Sequence, residues 1–442
     1  VVEEGVSAVV LTTRGSIRDA SRAGLKLAGI NEEDIAYPEK LKDCFAALEK
    51  RTKCVVIVDW EFGAENVIMV LKLARENHQL ETRVTFLIAA KMNEKIIAAG
   101  MEYGVARVHT GDVTKEKIKI IIEELVGEVN HLTPLKKLLV GVSEARNNGN
   151  WPQATKILEQ LHSKDSKNPR LILELAENYV HEGRWEDAMK VLEPTKSELN
   201  PNPRCLHLIG KCLLKMNKND AAIEAMRKAK MINPFNVDRL LELGDTLLNL
   251  DRSGEASDVF DEAIAIAPRN AAAKKGKGTC LLMDGDVNEA LSLLKNAITG
   301  IELASVFNTA AVLTMRSGRI PEGMDLYDAA VKALKDQKTV LARIYYNKGI
   351  GFYRWKKLEE AISCFEKAIE FDPAFHNARH NLAALTGKPL PVDTKAANAN
   401  KTTTSAPAAT TPPPMANIKF DDSIDPFASK LKDELSDEDE YL

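Results

Sequence analysis

A 34-residue rhythm of small side chains constrains this chain more than any other feature. Alanine recurs at Ala154, Ala188, Ala222, Ala256 and Ala290, and the series runs on with slightly altered spacing through Gly323 to Ala361. Four residues later in each unit stands a large apolar residue: Leu158, Leu192, Met226, Phe260, Leu294, Tyr327 and Phe365. A third, small series reads Ala229, Ala263, Ala297, Ala330 and Ala368, and another lies upstream at Ala176, Gly210, Gly244, Gly278, Ala311 and Gly349. Prolines close several units at Pro234, Pro268 and Pro373. Two antiparallel helices cross closely only where side chains are small. A large residue on the second helix then fills the gap between neighbouring pairs, and proline ends that helix and turns the chain into the next unit.

These offset series resemble the tetratricopeptide repeat (TPR) family over more than half of the chain. About seven helix pairs are expected, starting near 135, 169, 203, 237, 271, 304 and 342. A last helix at 374–386 should act as the solvating cap that an open solenoid end needs. The resemblance implies a concave face lined by the first helix of each pair. Counting within the units puts His207, Lys211, Lys275, Asn308, Arg343, Tyr346 and Tyr353 there, with Leu173, Leu241, Leu248 and the acidic Asp245. Basic and aromatic side chains in a helical groove suit an extended or helical peptide with acidic and apolar anchors. An ordinary solvated face is the competing reading. The lysine and asparagine set with which co-chaperone TPR domains clamp a C-terminal carboxylate is not found, so chaperone docking is not expected.

Before residue 128 the pattern is different. Short apolar runs at 7–13, 54–60 and 83–90 read as buried strands, and weaker strands fit 33–37 and 106–110. Amphipathic helices are expected at about 16–29, 38–51, 64–77, 93–103 and 114–127. Continuous apolar strands alternating with helices indicate a five-stranded parallel sheet covered on both faces. Five such units, with Asp59-Trp60 ending the third strand, resemble the response-regulator receiver domain and its flavodoxin-like fold. The run from Ile96 to Val105 fits that family's fourth helix and following turn.

The receiver resemblance implies a phosphoacceptor aspartate, an acidic pair after the first strand that helps hold Mg²⁺, a hydroxyl after the fourth strand and a lysine after the fifth. Here Asp59 stands at the phosphoacceptor position. The acidic pair falls on the neutral Thr12 and Thr13, the hydroxyl on Ala89 or Ala90, and the lysine near Thr110. One carboxylate without acidic partners is a poor site for a hard cation that wants several oxygen ligands. A phosphoryl group on Asp59 would also meet little compensating charge. The expectation is a pseudo-receiver that keeps the fold and has lost the phosphotransfer switch, with Trp60 as a packing or partner-contact residue. The alternative is a working response regulator, phosphorylated on Asp59, with the TPR region as its output.

The remainder of the chain adds little chemistry. A formal charge of −4 makes no case for nucleic-acid binding, and no apolar run approaches membrane-spanning length. The start, Val1 to Gly5, lacks both a basic signal-peptide flank and an initiator methionine, so the true start is expected upstream. The six cysteines, Cys44, Cys54, Cys205, Cys212, Cys280 and Cys364, form no CxxC pair and read as buried thiols in a reducing cytosol. His376 and His380 have metal-binding spacing without a third ligand. No catalytic set, metal site, cofactor or Gly-rich phosphate loop is expected, Gly276-Lys277-Gly278 being a helix segment.

Residues 387–415 are rich in proline, threonine and alanine and read as a linker. Residues 416–442 carry Phe420, Ile424, Phe427 and Leu431 among nine acids and three lysines, which reads as a short motif that orders on binding. The chain therefore divides into a receiver-like domain at 1–128, a TPR solenoid at 129–386, a linker and an acidic tail. Its expected role is a non-enzymatic cytoplasmic adaptor of bacterial signalling, near motility, polarity or two-component control. An acidic and apolar peptide, a polarity GTPase or a motility component is the expected kind of partner. Oligomeric state is left open.

Overall fold

The computed structural model describes residues 6–51, 53–76, 83–130, 133–197 and 202–387. The linker beyond 387 and the tail residues Phe420, Ile424, Phe427 and Leu431 lie outside the described residues. The chain divides into two compact units whose boundaries fall inside two successive helices. Val1–Leu243 with Ala265–Pro268 make the first, and Gly244–Ile264 with Arg269–Leu442 the second.

The first unit opens with β1 (Ser7–Leu11), α1 (Gly15–Leu27), β2 (Ile35–Ala36), α2 (Leu41–Glu49), β3 (Cys54–Asp59), α3 (Ala64–Glu76), β4 (Arg83–Ala89), α4 (Glu94–Glu102), β5 (Arg107–Thr110) and α5 (Lys115–Asn130). All strands are parallel, in the order β2-β1-β3-β4-β5. That is the doubly wound order of flavodoxin-like sheets. Every expected strand and helix of this region is present, within a few residues of its expected limits.

The sheet buries both faces because its strand residues alternate sides. Ala8, Val10, Val55, Ile57, Phe86 and Ile88 pack against Ile17 and Leu25 of α1 and Ile118, Ile122 and Leu125 of α5. Val9, Leu11, Val56, Val58 and Leu87 face Cys44 and Leu48 of α2, Val67 and Leu71 of α3, and Ile96 and Ala99 of α4. Helix α1 comes so close to α5 that a Cβ on Gly24 would lie 2.5 Å from Ile118.

Helix pairs follow. In the first unit these are α6 (Pro134–Asn147) with α7 (Trp151–Lys164), α8 (Pro169–His181) with α9 (Trp185–Leu192), and α10 (Pro203–Lys215) with α11 (Asn219–Ile232). Helix α12 (Val237–Asn249) carries one boundary between the units, and the following α13 (Ser253–Ile266) carries another. The second unit continues with α14 (Ala271–Asp284) and α15 (Val287–Leu294), α16 (Gly300–Arg316) and α17 (Ile320–Ala333), α18 (Lys338–Arg354) and α19 (Leu358–Phe371), and ends in the single helix α20 (His376–Thr386).

The small-and-large pattern does the expected packing work. A Cβ added to Gly210, Gly244, Gly278 or Gly349 would lie 2.7, 2.6, 2.8 or 2.8 Å from Met226, Phe260, Leu294 or Phe365 respectively. In each case the large residue comes sixteen positions after the glycine, on the second helix of the same pair. Asparagine punctuates the starts of first helices. Asn168, Asn202, Asn236 and Asn270 accept hydrogen bonds from the backbone N–H of Arg170, Arg204, Arg239 and Ala273 at 3.1, 2.9, 3.0 and 2.9 Å. Each satisfies a donor that the first helical turn leaves over.

Candidate functional site

Asp59 ends β3 and is fully buried. Arg14, two residues past Thr12 at the end of β1, lies across its carboxylate. Arg14 Nε donates to Oδ2 at 2.9 Å and Nη2 to Oδ1 at 2.7 Å. The Thr12 hydroxyl donates to Oδ2 at 2.5 Å, and the Glu61 N–H to Oδ1 at 3.3 Å. Thr12 is itself oriented by the Arg14 backbone N–H at 3.0 Å. Burial alone would raise the Asp59 pKa. The hydrogen bonds from Arg14, Glu61 and Thr12 outweigh it and hold the carboxyl below the usual carboxylate range. Arg14 is raised in turn, chiefly by its hydrogen bond to Asp59.

The expectation that Asp59 lacks counter-charge is therefore corrected. Positive charge is present, but it comes from Arg14 and is already engaged by the unmodified carboxylate. The residues do not fit Mg²⁺. Thr12 and Thr13 are neutral, and a bidentate guanidinium covers the carboxylate oxygens that a cation would use. Ala89 is buried, the Ala90 N–H is held by Glu61 Oε1 at 2.8 Å, and Thr110 is exposed at the end of β5. Among the described residues, no three His, Cys, Asp or Glu side chains gather as a metal site.

The first helices of the pairs place the groove candidates unevenly. His207 and Lys211 on α10 both pair with Glu242 on α12, at 2.9 and 3.3 Å. Lys275 on α14 pairs with Glu302 at 3.4 Å. Arg343 is exposed and Tyr353 half-buried on α18. Asn308 and Tyr346 do not line an open face. Asn308 is buried and accepts from the Tyr327 hydroxyl at 2.7 Å, while Tyr346 is buried against Phe365 and Phe375. Helices α16 and α18 each run to 17 residues and start about four residues before the expected unit starts. Leu173 and Leu248 are buried as well.

A contact that the sequence did not announce joins the sheet to the turn between α11 and α12, within the first unit. Glu102, the last residue of α4, is buried and receives Asn233 Nδ2 at 2.6 Å, Asn236 Nδ2 at 3.0 Å and a short hydrogen bond from Arg239 Nη2. Arg239 also donates from Nη1 to the carbonyls of Ala229 and Asn233 at 3.3 and 3.4 Å. Asn236 thus serves twice, its oxygen capping α12 and its amide holding Glu102. Beside this cluster Lys72 of α3 pairs with Asp238, and Trp60, next to Asp59, meets Phe235 edge-on with ring centroids 5.0 Å apart. A readable signal existed. One repeat later the positions of Asn233, Phe235 and Arg239 hold Ala267, Arg269 and Ala273, so the set that meets Glu102 is not carried into the next repeat.

All six cysteines are buried and free, and burial pushes the thiols of Cys44 and Cys280 up to about 12 and those of Cys54, Cys212 and Cys364 to about 11. His376 and His380 are exposed on α20.

Comparison with known proteins fits the helix-pair geometry. Residues 241–301 and 342–375 match family models described as tetratricopeptide repeat. The chain carries tetratricopeptide repeats. Residues 147–229, covering most of α7 to α11, match the model for subunit 3 of the anaphase-promoting complex, or cyclosome. No curated protein matches the chain. Among solved structures, a tetratricopeptide repeat protein from Parabacteroides merdae is similar at 16% identity, over 56% of this chain and 96% of its own, with a TM-score of 0.39. The crystal structure of MamA is similar at 21% identity, over 35% of this chain and 91% of its own, with a TM-score of 0.33. A further MamA structure reaches 28% identity over 36% and 85%, with a TM-score of 0.31. These scores are low, and the TPR assignment rests on the family models and on the small-to-large helix packing. TPR helix pairs are protein-interaction modules, and no helix among the described residues is long and apolar enough to cross a membrane.

Proposed function

We propose that the chain is a non-catalytic adaptor in which a degenerate receiver domain and a TPR groove each present a docking surface. The observation that carries this reading is the Arg14–Asp59 pair. A receiver switches by placing metal and phosphoryl charge on its aspartate. Here a buried carboxylate is already saturated by a guanidinium, a hydroxyl and a backbone N–H. What remains useful is surface. His207, Lys211, Lys275, Arg343 and Tyr353 remain the groove candidates, and the acidic segment 416–442, with Phe420, Ile424, Phe427 and Leu431, is proposed as a motif that engages a partner. The finer placement in bacterial signalling, with a peptide, polarity GTPase or motility component as partner, rests on the sequence resemblance.

The test is affinity capture with the full chain and with two substituted full chains, one carrying Lys275→Glu with Arg343→Glu, the other Phe420→Ala with Phe427→Ala. A partner captured by the full chain and lost with either substitution supports the adaptor. Identical capture by all three would remove the groove and the tail from the proposal.

A further inference from the structure

The last two helix pairs of the second unit sort their charge by helix. Helix α18 carries Lys338, Arg343, Lys348 and Arg354 and no acid, whereas α17 and α19 carry seven acids against two lysines. The two sides of α18 are used differently. Tyr345 stacks on Phe371 of α19, and Lys348 pairs with Asp328 of α17, so that side is taken up by second helices. About half a turn around the helix stand Arg343, Asn347 and Arg354, which helical spacing puts on one common side. Arg343 is exposed there, and Asn347 and Arg354 are half-buried. The corresponding positions of α16 are Ser305, Thr309 and Arg316, with Ser305 and Arg316 exposed. The one acid of α16, Glu302, is engaged by Lys275, and α20 has no acid. Among the described residues, Arg316 and Arg343 have no ion-pair partner. The first-helix side of these pairs is therefore open, cationic and free of carboxylates of its own.

We propose that residues 416–442 of the same chain fold back onto this side of α16 and α18 and cover the groove until a partner displaces them. The inference rests on the adaptor reading and names what regulates its groove. Charge selects the occupant, because the segment carries nine acids against three lysines, with Phe420 and Phe427 among them as apolar anchors. Length permits it. Helix α20 ends at Thr386, and a flexible connection of about 29 residues spans roughly 30 Å, close to the ~26 Å length of the 17-residue α18. A tether matched to its span holds the segment at an effective concentration in the millimolar range, enough to occupy a face of modest affinity.

The experiment measures, by fluorescence anisotropy, how a labelled peptide with the sequence of residues 416–442 binds three full chains. One is unaltered. One is opened by Phe420→Ala, Asp421→Lys, Asp425→Lys and Phe427→Ala. The third is the opened chain carrying Arg316→Glu and Arg343→Glu as well. The tethered segment competes with the peptide, so the opened chain should bind it about tenfold more tightly than the unaltered one. The two arginine replacements, both on exposed side chains, should weaken that binding about tenfold with the circular dichroism spectrum unchanged. Equal affinity for the unaltered and opened chains, no saturable binding to the opened chain, or indifference to Arg316→Glu with Arg343→Glu would overturn the contact. Equal binding of a peptide of the same composition in scrambled order would overturn it too. Masking that fades as the protein is diluted would place the segment on a second copy and overturn the fold-back. Capture of a partner should rise in the opened chain, and a fall would overturn the masking, since the segment would then be holding the partner. Equal peptide affinities with partner capture intact overturn the fold-back and leave the adaptor reading standing. Masking with no partner captured by any of the chains overturns the adaptor reading and leaves the fold-back.

Discussion

Arg14 and Asp59 stand 45 residues apart in sequence and form a bidentate pair, with Nε 2.9 Å from Oδ2 and Nη2 2.7 Å from Oδ1. The pairing needs β1 beside β3, because the two residues follow and end those neighbouring parallel strands. It makes the end of β3 a closed ion pair.

With Mg²⁺ and a small phosphodonor or its fluoride mimic, Asp59 is expected to remain unmodified by intact-mass measurement. Labelling of the full chain that disappears in Asp59→Asn would restore the response-regulator reading. Arg14→Ala should leave a buried carboxylate short of donors and lower stability by about 1.5–3 kcal/mol. Arg14→Leu combined with Asp59→Leu should recover much of that loss, because no buried charge is then stranded.

Glu102 ties α4 to the turn between α11 and α12 through three donors. Glu102→Ala leaves Arg239 buried and unpaired, at an expected cost of about 3–5 kcal/mol. The readout is amide exchange. Protection should fall in α4 and around 233–239 well before it falls in β3. Unchanged protection at both places would show that the cluster does not hold the sheet to the repeats.

Phe260 lies between Gly244 and Gly276, where added Cβ atoms would come within 2.6 and 2.3 Å of its ring. Gly276→Ala should therefore lower the melting temperature, overpacking of about 1–3 kcal/mol exceeding the ~1 kcal/mol gained in helix propensity. Gly254→Ala is the control. Nothing lies within 4 Å of its added Cβ, so the melting temperature should hold or rise.

Burial would raise Glu242, but His207 and Lys211 outweigh it and bring its pKa from 4.5 down to about 2. Between those values the unfolded chain binds more protons than the folded one. The contribution is therefore complete above about pH 4.5 and is lost as pH falls toward 2. His207→Ala should show a stability deficit above about pH 4.5 that shrinks as pH falls toward 2, followed by circular dichroism during denaturation. A deficit that does not vary with pH would place the role of His207 in packing alone.

Local rules made most of the architecture readable. The sheet strands announced themselves as apolar runs, and the helix pairs as spaced small and large residues. The asparagine caps at 168, 202, 236 and 270 share the 34-residue step and could have sharpened the helix starts. Arg14 was visible beside Thr12 and Thr13 but fell outside the receiver positions under comparison. Asn308 and Tyr346 were misplaced because helical counting gives a direction and not what lies in that direction.

By itself the amino-acid order determined which segments become strands or helices and where two helices can touch, because steric size, capping and hydrophobic spacing act over a few neighbouring residues. Only the folded chain decided that Arg14 closes on Asp59 and that Asn233, Asn236 and Arg239 converge on Glu102, more than 130 positions away. Hydrogen bonds and charge pairs depend on separation in space and on exclusion of water, and neither quantity exists until distant segments have been packed together.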